Sequence, residues 1–358
     1  MKIILDANIL LRDPRMKGAD FKVLLDGLSL VPIKLFVPQV VLDEVVNKAR
    51  ETFTEANDAI TKHNRKLAQF VDDESRLSLV QFDIANEVLA YKIWLTETLH
   101  AIGVTFIPYP DVPHKEVVQR ELLRRKPFKD NGIGYRDTLI WESVRRVTYS
   151  GVEPVIFVTA NTRDFCTENG LHEDLKREVH SEAPFEILTS LSELNDRFVR
   201  PKLKQFEFIP GAISAPDGTN VALRTWLGAG LSSLVNSYDG IGQDILGWPQ
   251  EAGSVRCNVV ELHNASVTEA RKMPSGQHLI RLTLELDIEL DISVDWEDAY
   301  QYPEVREAVD IGEPFSSSSW GEIQRVNLQV DLILDSSNTV VAAEELRKLD
   351  SDNCSIEY

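Results

Sequence analysis

The sequence predicts a doubly wound parallel α/β sheet in its first part, followed by a second, mainly antiparallel β domain of the α+β kind. In the first part, short apolar runs alternate with helix-forming segments, a rhythm typical of βαβ units. In the second part, long runs alternate strictly between apolar and polar side chains, which indicates strands with one buried face. The length of 358 residues also favours two domains, which we place at residues 1–204 and 205–358.

The first domain is predicted from its strands and helices in order. Residues 3–5 form a buried opening strand, and residues 34–37 form a second strand that ends at Pro38. Residues 39–71 lack glycine and proline, which favours one long helix or two short ones. The remaining predicted elements are a helix at 87–100, strands at 104–107 and 155–158, and a strand and helix start within 185–194.

A weakly periodic stretch at 200–220, with three prolines and two glycines, is the predicted domain junction. Beyond it, residues 221–237 could form one helix, and every even position from Ile280 to Trp296 is apolar. This run exceeds the usual strand length of about 3–10 residues, so we expect a bend or a bulge within it. Further strands are predicted at 255–262, 323–334 and 339–343.

Acidic residues stand just beyond predicted strands or at the starts of predicted helices. Asp6 follows the opening strand directly, and Asp164 follows the strand at 155–158 and its turn. Glu44 lies early in the helix after the second strand, and Asp137 opens the helical pattern RDTLIWESV. Ligand groups collect where the carboxyl ends of parallel strands meet. For Asp6 taken alone, a helix N-cap is an equally good interpretation.

The ordered set of these signals resembles the PIN domain, a family of metal-dependent ribonucleases. The signals read, in order, LDANILL, VPQVVLDEVV, GYRDTLIWESV and VIFVTANTRDF, and the resemblance covers residues 1–204. It implies a PIN-like nuclease fold with catalytic and metal-binding carboxylates at Asp6, Glu44, Asp137 and Asp164. It also implies polar support from Asn8, Thr159 and Asn161.

Two positions of this implied site have neighbours that could compete for the role. The second position falls on Glu44 rather than Asp43, because the family's acidic residue precedes an apolar helix residue, as Glu44 precedes Val45. The fourth position could be filled by Asp164, by Asn161 or by both. The resemblance does not extend to residues 205–358.

Four carboxylates in one crevice repel one another unless a cation neutralises them. Ligand sets made only of oxygen favour hard ions, so Mg²⁺ or Mn²⁺ is the expected cofactor. We expect Asp6 and Asp137 to hold the principal ion, Glu44 to complete its shell, and Asp164 to position water or a second ion. Such a site would hydrolyse phosphodiester bonds without a histidine base.

The charge of the chain is divided unevenly between the two predicted domains. The net charge is −19 overall, and residues 205–358 hold 26 acidic and nine basic residues, a net of −17. Residues 1–204 hold 31 acidic and 29 basic residues, a net of −2. The acidity therefore belongs to the second domain and does not exclude a nucleic-acid substrate for the first.

A basic stretch leads into Asp137 and is the predicted substrate-binding surface. A solvated helix end is the alternative interpretation of such a run. Gly132 and Gly134 would let this stretch bend over a strand, and Phe128 and Tyr135 offer rings for base stacking, although either ring could belong to the core. Its cationic residues are Arg120, Arg124, Arg125, Lys126, Lys129 and Arg136.

The predicted function is metal-dependent endoribonuclease cleavage of single-stranded RNA, with single-stranded DNA not excluded. Two alternatives remain open: a catalytically weak module that binds RNA or protein, and a phosphatase with Asp6 as nucleophile. The phosphatase would need a second aspartate where the chain has Asn8, and a lysine in the crevice. The second domain could bind a protein partner or form a homodimer.

The cysteines and the hydropathy bear on the expected cellular compartment of the protein. The three cysteines, Cys166, Cys257 and Cys354, show no close metal-ligand spacing and no disulfide framework, which favours a reducing cytoplasm. The sequence contains no uncharged apolar stretch of about 18 residues, so we expect no membrane span.

Overall fold

The computed structural model describes residues 1–70, 83–129, 131–167, 170–179, 182, 184–205, 226–237, 241–246, 254–295, 317–337 and 339–349. The chain forms two compact units, the first of Met1–Met16 with Val31–Leu194 and the second of Lys17–Leu30 with Asn195–Tyr358. This division differs from the predicted boundary at residues 204 and 205, because residues 195–204 and an early segment both pack with the second unit.

The described helices and strands are numbered along the chain. The helices are α1 Ala7–Arg12, α2 Ala19–Gly27, α3 Gln39–Ala68, α4 Ile84–Ala101, α5 His114–Leu122, α6 Tyr135–Thr148, α7 Thr162–Phe165, α8 Glu173–Lys176, α9 Leu191–Leu194, α10 Leu231–Ser237 and α11 Ile241–Leu246. The strands are β1 Lys2–Leu5, β2 Lys34–Pro38, β3 Thr105–Ile107, β4 Val155–Val158, β5 Cys166–Thr167, β6 Gly170–Leu171, β7 Phe185–Leu188, β8 Lys204–Gln205, β9 Ser254–Lys272, β10 His278–Asp295, β11 Ser317–Leu334 and β12 Val340–Lys348.

The first unit is built on a five-stranded sheet in the order β3-β2-β1-β4-β7, and all its pairs are parallel. Ile3 of the central strand lies opposite both Leu35 and Ile156. β1 and β4 are buried along their whole length, which explains why both read as continuous apolar runs. The predicted parallel sheet with flanking helices is therefore confirmed.

The order of the strands reverses at β1. The chain proceeds outward from β1 to β2 and β3, and then returns to β4 on the other side of β1. In sheets of this kind, a crevice opens between the carboxyl ends of the two strands at the reversal. Asp6 follows β1 and the segment from Thr159 follows β4, so both chain segments start at this crevice.

α3 is one continuous helix, where the sequence had allowed one or two. Its buried residues are confined to its start, at Val40, Val41, Leu42, Val45 and Val46. Glu44 therefore lies on the part of the helix that packs against the sheet. Val71, the last residue of the predicted helix, lies outside the described residues.

The second unit contains a separate sheet, in the order β12-β11-β10-β9-β8, whose pairs are antiparallel. In β10, the even-numbered side chains from Ile280 to Val294 are all buried, as the alternation predicts. They form one core with side chains of β11, α10 and α11. Trp296, the predicted junction beyond residue 205, and residues 221–225 of the predicted helix lie outside the described part of the chain.

The expected irregularity falls on the neighbour of β10 and not on β10 itself. β10 pairs with β11 in continuous register, whereas its pairing with β9 shifts at three points. At these points Val260, His263 and Thr268 of β9 have no opposite residue in β10. Such extra residues let a long strand follow the twist of the sheet.

α2 belongs to the second unit although it lies early in the chain. Its Phe21 and Leu24 are buried, and Asn195 Nδ2 donates to the Asp20 carbonyl at 2.9 Å. The Asp20 N–H donates to Glu344 Oε2 at 3.0 Å, and the Ser275 N–H donates to Asp26 Oδ2 at 3.0 Å. These contacts join residues far apart in sequence, so no single cut of the chain separates the two units.

Among the described residues, no helix combines the length and the apolar character that crossing a bilayer requires.

Candidate active site

Asp6 stands at the start of the crevice and is buried, with 2% of its surface exposed. Its Oδ1 accepts a hydrogen bond from the Ala7 N–H at 2.7 Å, so Asp6 does cap α1. Its Oδ2 accepts from Asn8 Nδ2 at 2.8 Å and from the Thr159 hydroxyl at 2.6 Å. Asp6 therefore caps α1 and also lies in the crevice, so the two interpretations of this side chain are compatible.

Asn8 and Thr159 connect the ends of β1 and β4. Asn8 Nδ2 also lies 3.2 Å from Thr159 Oγ1, and Asn8 Oδ1 accepts from the Ala160 N–H at 2.9 Å. Thr159 Oγ1 accepts from the Asn161 N–H at 3.0 Å. These bonds hold the turn after β4 against the start of α1 and leave little rotational freedom to Asp6.

Asn161 joins the other two aspartates. Its Nδ2 donates to Asp137 Oδ1 at 3.2 Å and to Asp164 Oδ2 at 2.9 Å. Asp137 lies in the first turn of α6, and Asp164 lies in α7, just beyond β4. An amide that donates to two carboxylates orients both of them, so Asn161 and Asp164 both lie in this arrangement.

Asp164 carries an unusual oxygen. Its side chain is 2% exposed, and Oδ1 is buried without a hydrogen-bond partner. A buried carboxylate oxygen without a partner costs free energy unless a cation or a donor reaches it. Asp164 Oδ1 is therefore free to accept a cation or a hydrogen-bond donor.

Glu44 and Asp43 are adjacent in α3 but have different surroundings. Glu44 Oε1 lies 3.2 Å from Arg136 Nη1, and the charge of Asp137 helps to raise the pKa of Glu44. Asp43 Oδ1 accepts from Gln39 Nε2, and its Oδ2 accepts from the Tyr109 hydroxyl at 2.8 Å. Glu44 is thus the member of the pair that is electrostatically linked to Asp137.

Burial and neighbouring charges raise the pKa of three of the four site carboxylates. Burial raises the pKa of Asp6 to about 6, with smaller upward contributions from the charges of Asp137 and Glu44. Burial also raises the pKa of Asp137, and the charge of Asp164 adds to this increase. Burial is the largest cause of the raised pKa of Glu44 as well. The acidic residues that follow β1, β2 and β4 and open α6 therefore form one coupled group.

The donor set fits a hard divalent cation that keeps part of its water shell. It offers carboxylate oxygens only, and Asp164 Oδ1 is unsatisfied. Among the described residues, the only three His, Cys, Asp or Glu side chains with ligand atoms within 4.8 Å of one another are Glu261, His263 and Asp287 of the second sheet. Among the described residues, no three of the four site carboxylates have ligand atoms within that distance of one another.

Cationic side chains lie against two of the site carboxylates. Lys129 Nζ is 3.3 Å from Asp164 Oδ2, and Arg136 Nη1 is 3.2 Å from Glu44 Oε1. Both cations are partly exposed, whereas Asp164 is buried. Each of them lowers the pKa of Asp137 in opposition to burial.

The other members of the predicted basic surface have different surroundings. Arg120 is 8% exposed, pairs with Glu178 and Glu142, and donates to the Lys126 carbonyl. Arg120 therefore stabilises the fold and does not present its charge to solvent. Arg124 pairs with Glu121 at the surface, Arg125 lies 2.9 Å from Glu178, and Lys126 Nζ donates to the Arg163 carbonyl at 2.8 Å.

Glu178 is a structural residue that the sequence did not reveal. It accepts hydrogen bonds from Arg120, from Arg125 and from the indole N–H of Trp141 at 2.8 Å. Trp141 is fully buried, and a buried indole N–H requires a partner. The sequence could therefore have indicated that Trp141 needs a hydrogen-bond acceptor, but it does not identify Glu178 as that acceptor.

Gly134 sets the approach of the loop to α6. Its φ is +142°, and a Cβ at this position would lie 2.8 Å from Phe128 Cα and from the Pro127 carbonyl oxygen. Only glycine accepts both this backbone conformation and this close contact. Phe128 is buried and Tyr135 is 49% exposed, so only Tyr135 offers a ring at the surface.

Residues 3–165 match the family model described as PIN domain. This range contains all four carboxylates, and the match is consistent with a PIN domain in the N-terminal region, as the sequence resemblance predicted. A search among curated proteins found none that matches the chain. PIN domains are generally nucleases that act on nucleic acid and typically use divalent metal ions, so the domain indicates a nuclease-type function.

Proposed function

We propose that the PIN domain of this chain is a Mg²⁺- or Mn²⁺-dependent endoribonuclease that hydrolyses phosphodiester bonds of single-stranded RNA. The observation that carries the proposal is the coupled group of Asp6, Glu44, Asp137 and Asp164 at the carboxyl edge of the sheet. Burial is the main cause of the raised pKa values of Asp6, Glu44 and Asp137, and the charges of neighbouring carboxylates add to it. A bound divalent cation would stabilise the charged forms of these side chains.

The carboxylates take distinct parts in this proposal. Asp6 and Asp137 would hold the cation, Glu44 would complete its shell, and Asp164, whose Oδ1 is unsatisfied, would position water or a second ion. Asn8, Thr159 and Asn161 hold these carboxylates in place through the hydrogen bonds described above. A bound divalent ion polarises the phosphoryl oxygen and lowers the pKa of coordinated water.

Substrate phosphates would be bound by the exposed cations beside the crevice. Arg124, Arg125 and Arg136 have side chains 42%, 46% and 64% exposed. The ion pair between Arg124 and Glu121 lies at the surface, where such pairs contribute only about 0–1 kcal/mol, so a phosphate could replace Glu121 at little cost. Lys126 lies on the same loop, and the ring of Tyr135 could stack on a base.

One observation favours the phosphatase alternative. That reaction needs a lysine in the crevice, and Lys129 reaches Asp164. It also needs an aspartate at the position of Asn8 and a free oxygen on Asp6, whose two oxygens accept three hydrogen bonds. The carboxylate set therefore favours metal-assisted phosphodiester hydrolysis over attack by Asp6.

The test is cleavage of mixed single-stranded RNA, single-stranded DNA and a phosphate monoester by the full chain. We expect RNA cleavage in Mn²⁺ that stops in EDTA and returns when Mn²⁺ is restored. Monoester hydrolysis with a phosphorylated protein intermediate would establish the phosphatase instead. RNA binding without cleavage in Mn²⁺ or Mg²⁺ would leave a binding module. Cleavage of DNA at the same rate would remove the assignment to RNA.

The cellular setting and the partners of the chain stay predictions. Cys166 and Cys257 are free thiols, consistent with the predicted reducing cytoplasm, and Cys354 lies outside the described residues. We propose RNA as the substrate partner. A protein partner or a second copy bound through residues 205–358 remains the proposed role of the acidic domain.

A further inference from the structure

Asp164 and Lys129 form an ion pair within the coupled carboxylate group. Lys129 Nζ lies 3.3 Å from Asp164 Oδ2, which also accepts the amide of Asn161 at 2.9 Å. The Asp164 side chain is 2% exposed, whereas that of Lys129 is 45% exposed. The ammonium therefore reaches inward from the surface and places a positive charge at the end of the site where Asp164 stands.

The backbone around Lys129 is fixed, so this placement does not depend on a free loop. The Lys129 N–H donates to the Ile133 carbonyl at 2.8 Å, and the Gly132 N–H donates to the Lys129 carbonyl at 2.9 Å. Phe128, immediately before it, is buried and lies against Gly134. The loop thus holds the Lys129 Cα beside the crevice while its long side chain spans the remaining distance.

The charge of Lys129 acts on more than its direct partner. It lowers the pKa of Asp137, the carboxylate that Asn161 links to Asp164. A tethered ammonium at this position neutralises one of the negative charges of the Asp137 and Asp164 pair. It would also repel a divalent cation that approached the Asp164 end of the site.

We propose that the ammonium of Lys129 takes the place of a second metal ion beside Asp164, so that this site binds one divalent cation, on its Asp6 and Asp137 side. This inference rests on the proposed function, because it concerns the same carboxylates. Lys129 is here a resident counter-ion of the site and not one of the phosphate contacts on its surface. Two-metal hydrolysis is then closed to this chain, and Asp164 orients water with its second oxygen.

The experiment counts bound Mn²⁺ by electron paramagnetic resonance titration of the full chain, which needs no substrate. Every protein in the titration, the wild type at Lys129 included, carries His263→Ala, so that the cluster of Glu261, His263 and Asp287 does not add to the count. Lys129→Met removes the charge and keeps the length of the side chain, and Lys129→Arg keeps the charge. Lys126→Met is the matched control, because Lys126 lies on the same loop but donates to the Arg163 carbonyl. Thermal unfolding in EDTA is measured for each protein and verifies that each one folds.

One Mn²⁺ is expected in the wild type, in Lys126→Met and in Lys129→Arg. Lys129→Met should bind a second ion or bind the first about tenfold more tightly, since repulsion by a nearby ammonium is relieved. It should also unfold at a lower temperature in EDTA, because Asp164 loses its counter-ion. Two ions in the wild type would overturn the inference. So would a Lys129→Met protein whose ion number and affinity equal those of the wild type.

The same titration distinguishes failure of this inference from failure of the proposed function. If none of the four proteins binds Mn²⁺, the metal-dependent function and the inference both fail. If the wild type binds Mn²⁺ and cleaves RNA while Lys129→Met has unchanged ion binding, only the role of Lys129 is lost.

Discussion

At the scale of single residues, the pKa of Asp6 sets how the metal-free protein responds to pH. Burial raises this pKa from 3.8 to about 6, so the native state takes up a proton at a higher pH than the unfolded chain does. The charged form therefore destabilises the fold above about pH 6, and this cost is relieved as the pH falls from about 6 toward 4. In EDTA, the free energy of unfolding should rise by about 1 kcal/mol from pH 7 to pH 5.

The matching measurement is urea unfolding of the wild type and of Asp6→Asn at several pH values in EDTA. Burial also raises the pKa of Glu44 and Asp137, so the difference between the two proteins is needed to isolate Asp6. The rise in the free energy of unfolding that Asp6 causes between pH 7 and pH 5 should be present in the wild type and absent from Asp6→Asn. Identical pH profiles for the two proteins would show that Asp6 titrates near its ordinary value.

The basic stretch divides into structural and exposed arginines, which should respond differently to substitution. Arg120→Met leaves Glu178 and Glu142 without their buried counter-charge and should cost about 3–5 kcal/mol of stability. Arg124→Met removes an exposed pair and should change stability by less than about 0.5 kcal/mol. It should lower the slope of log K for RNA against log salt by about one. Equal losses of stability in both proteins, or an unchanged salt slope in Arg124→Met, would contradict this division.

The roles of single residues were predictable only where a local signal existed. Asp6 and Asp164 follow recognisable buried strands, and their place at the edge of the sheet follows from the strand rhythm. The burial of Arg120 depends on its contact with Glu178, which lies 58 residues away in the chain. A local sequence pattern does not show that two such distant residues are in contact. For the same reason, the partnership of Lys129 with Asp164 could not be inferred from a basic run that reads equally well as a solvated surface.

At the scale of secondary-structure elements, the loop that ends at Gly134 positions Asp137 and Lys129 together. Gly134→Ala would place a Cβ 2.8 Å from the Phe128 backbone at a φ that other residues rarely adopt. A strained backbone of this kind costs on the order of 1–3 kcal/mol, and the contact adds to it. The variant should lose stability and Mn²⁺ affinity together, as measured by urea unfolding and by Mn²⁺ titration.

Gly103→Ala is the control for this prediction. Gly103 also has a positive φ, +81°, but a Cβ there would meet no atom within 4 Å. It should lose about 1 kcal/mol of stability and keep its Mn²⁺ affinity. If Gly134→Ala binds Mn²⁺ as tightly as Gly103→Ala does, the loop does not position the site.

The strands were predictable because their periodicity is local. The alternation from Ile280 onward indicates which face is buried, and the structure buries every even position of β10 from Ile280 to Val294. The bulges were expected within that run but lie on β9, since the sequence of one strand does not say which partner absorbs the twist.

At the scale of the whole molecule, the separation of the units depends on α2. Phe21 and Leu24 are buried within the second unit, so a fragment of residues 1–204 retains an apolar helix without its partners in β11 and β12. We expect that fragment to bind a hydrophobic dye and to unfold in less urea than the full chain. The same fragment with residues 17–30 replaced by a glycine and serine linker should bind less dye. Equal dye binding by the two fragments would contradict this account of α2.

There is a physical reason why the sequence does not predict the division of the chain into these two units. The sequence suggests a boundary through its prolines and glycines near residue 205, but α2 is assigned by contacts with residues as distant as Glu344. A helix with one apolar face has the same sequence pattern whichever domain core it packs against. The fold of each unit was therefore accessible from local pattern, whereas the membership of α2 was not.

The central claim is that the coupled carboxylates of the PIN domain form one metal-dependent hydrolytic site. The most direct measurement is the rate of Mn²⁺-dependent cleavage of single-stranded RNA by Asp137→Asn, with Asp43→Asn as the control outside the coupled group. We predict a loss of at least about 100-fold for Asp137→Asn and less than about twofold for Asp43→Asn, with both proteins folded. Cleavage by Asp137→Asn within about twofold of the wild-type rate would contradict the claim.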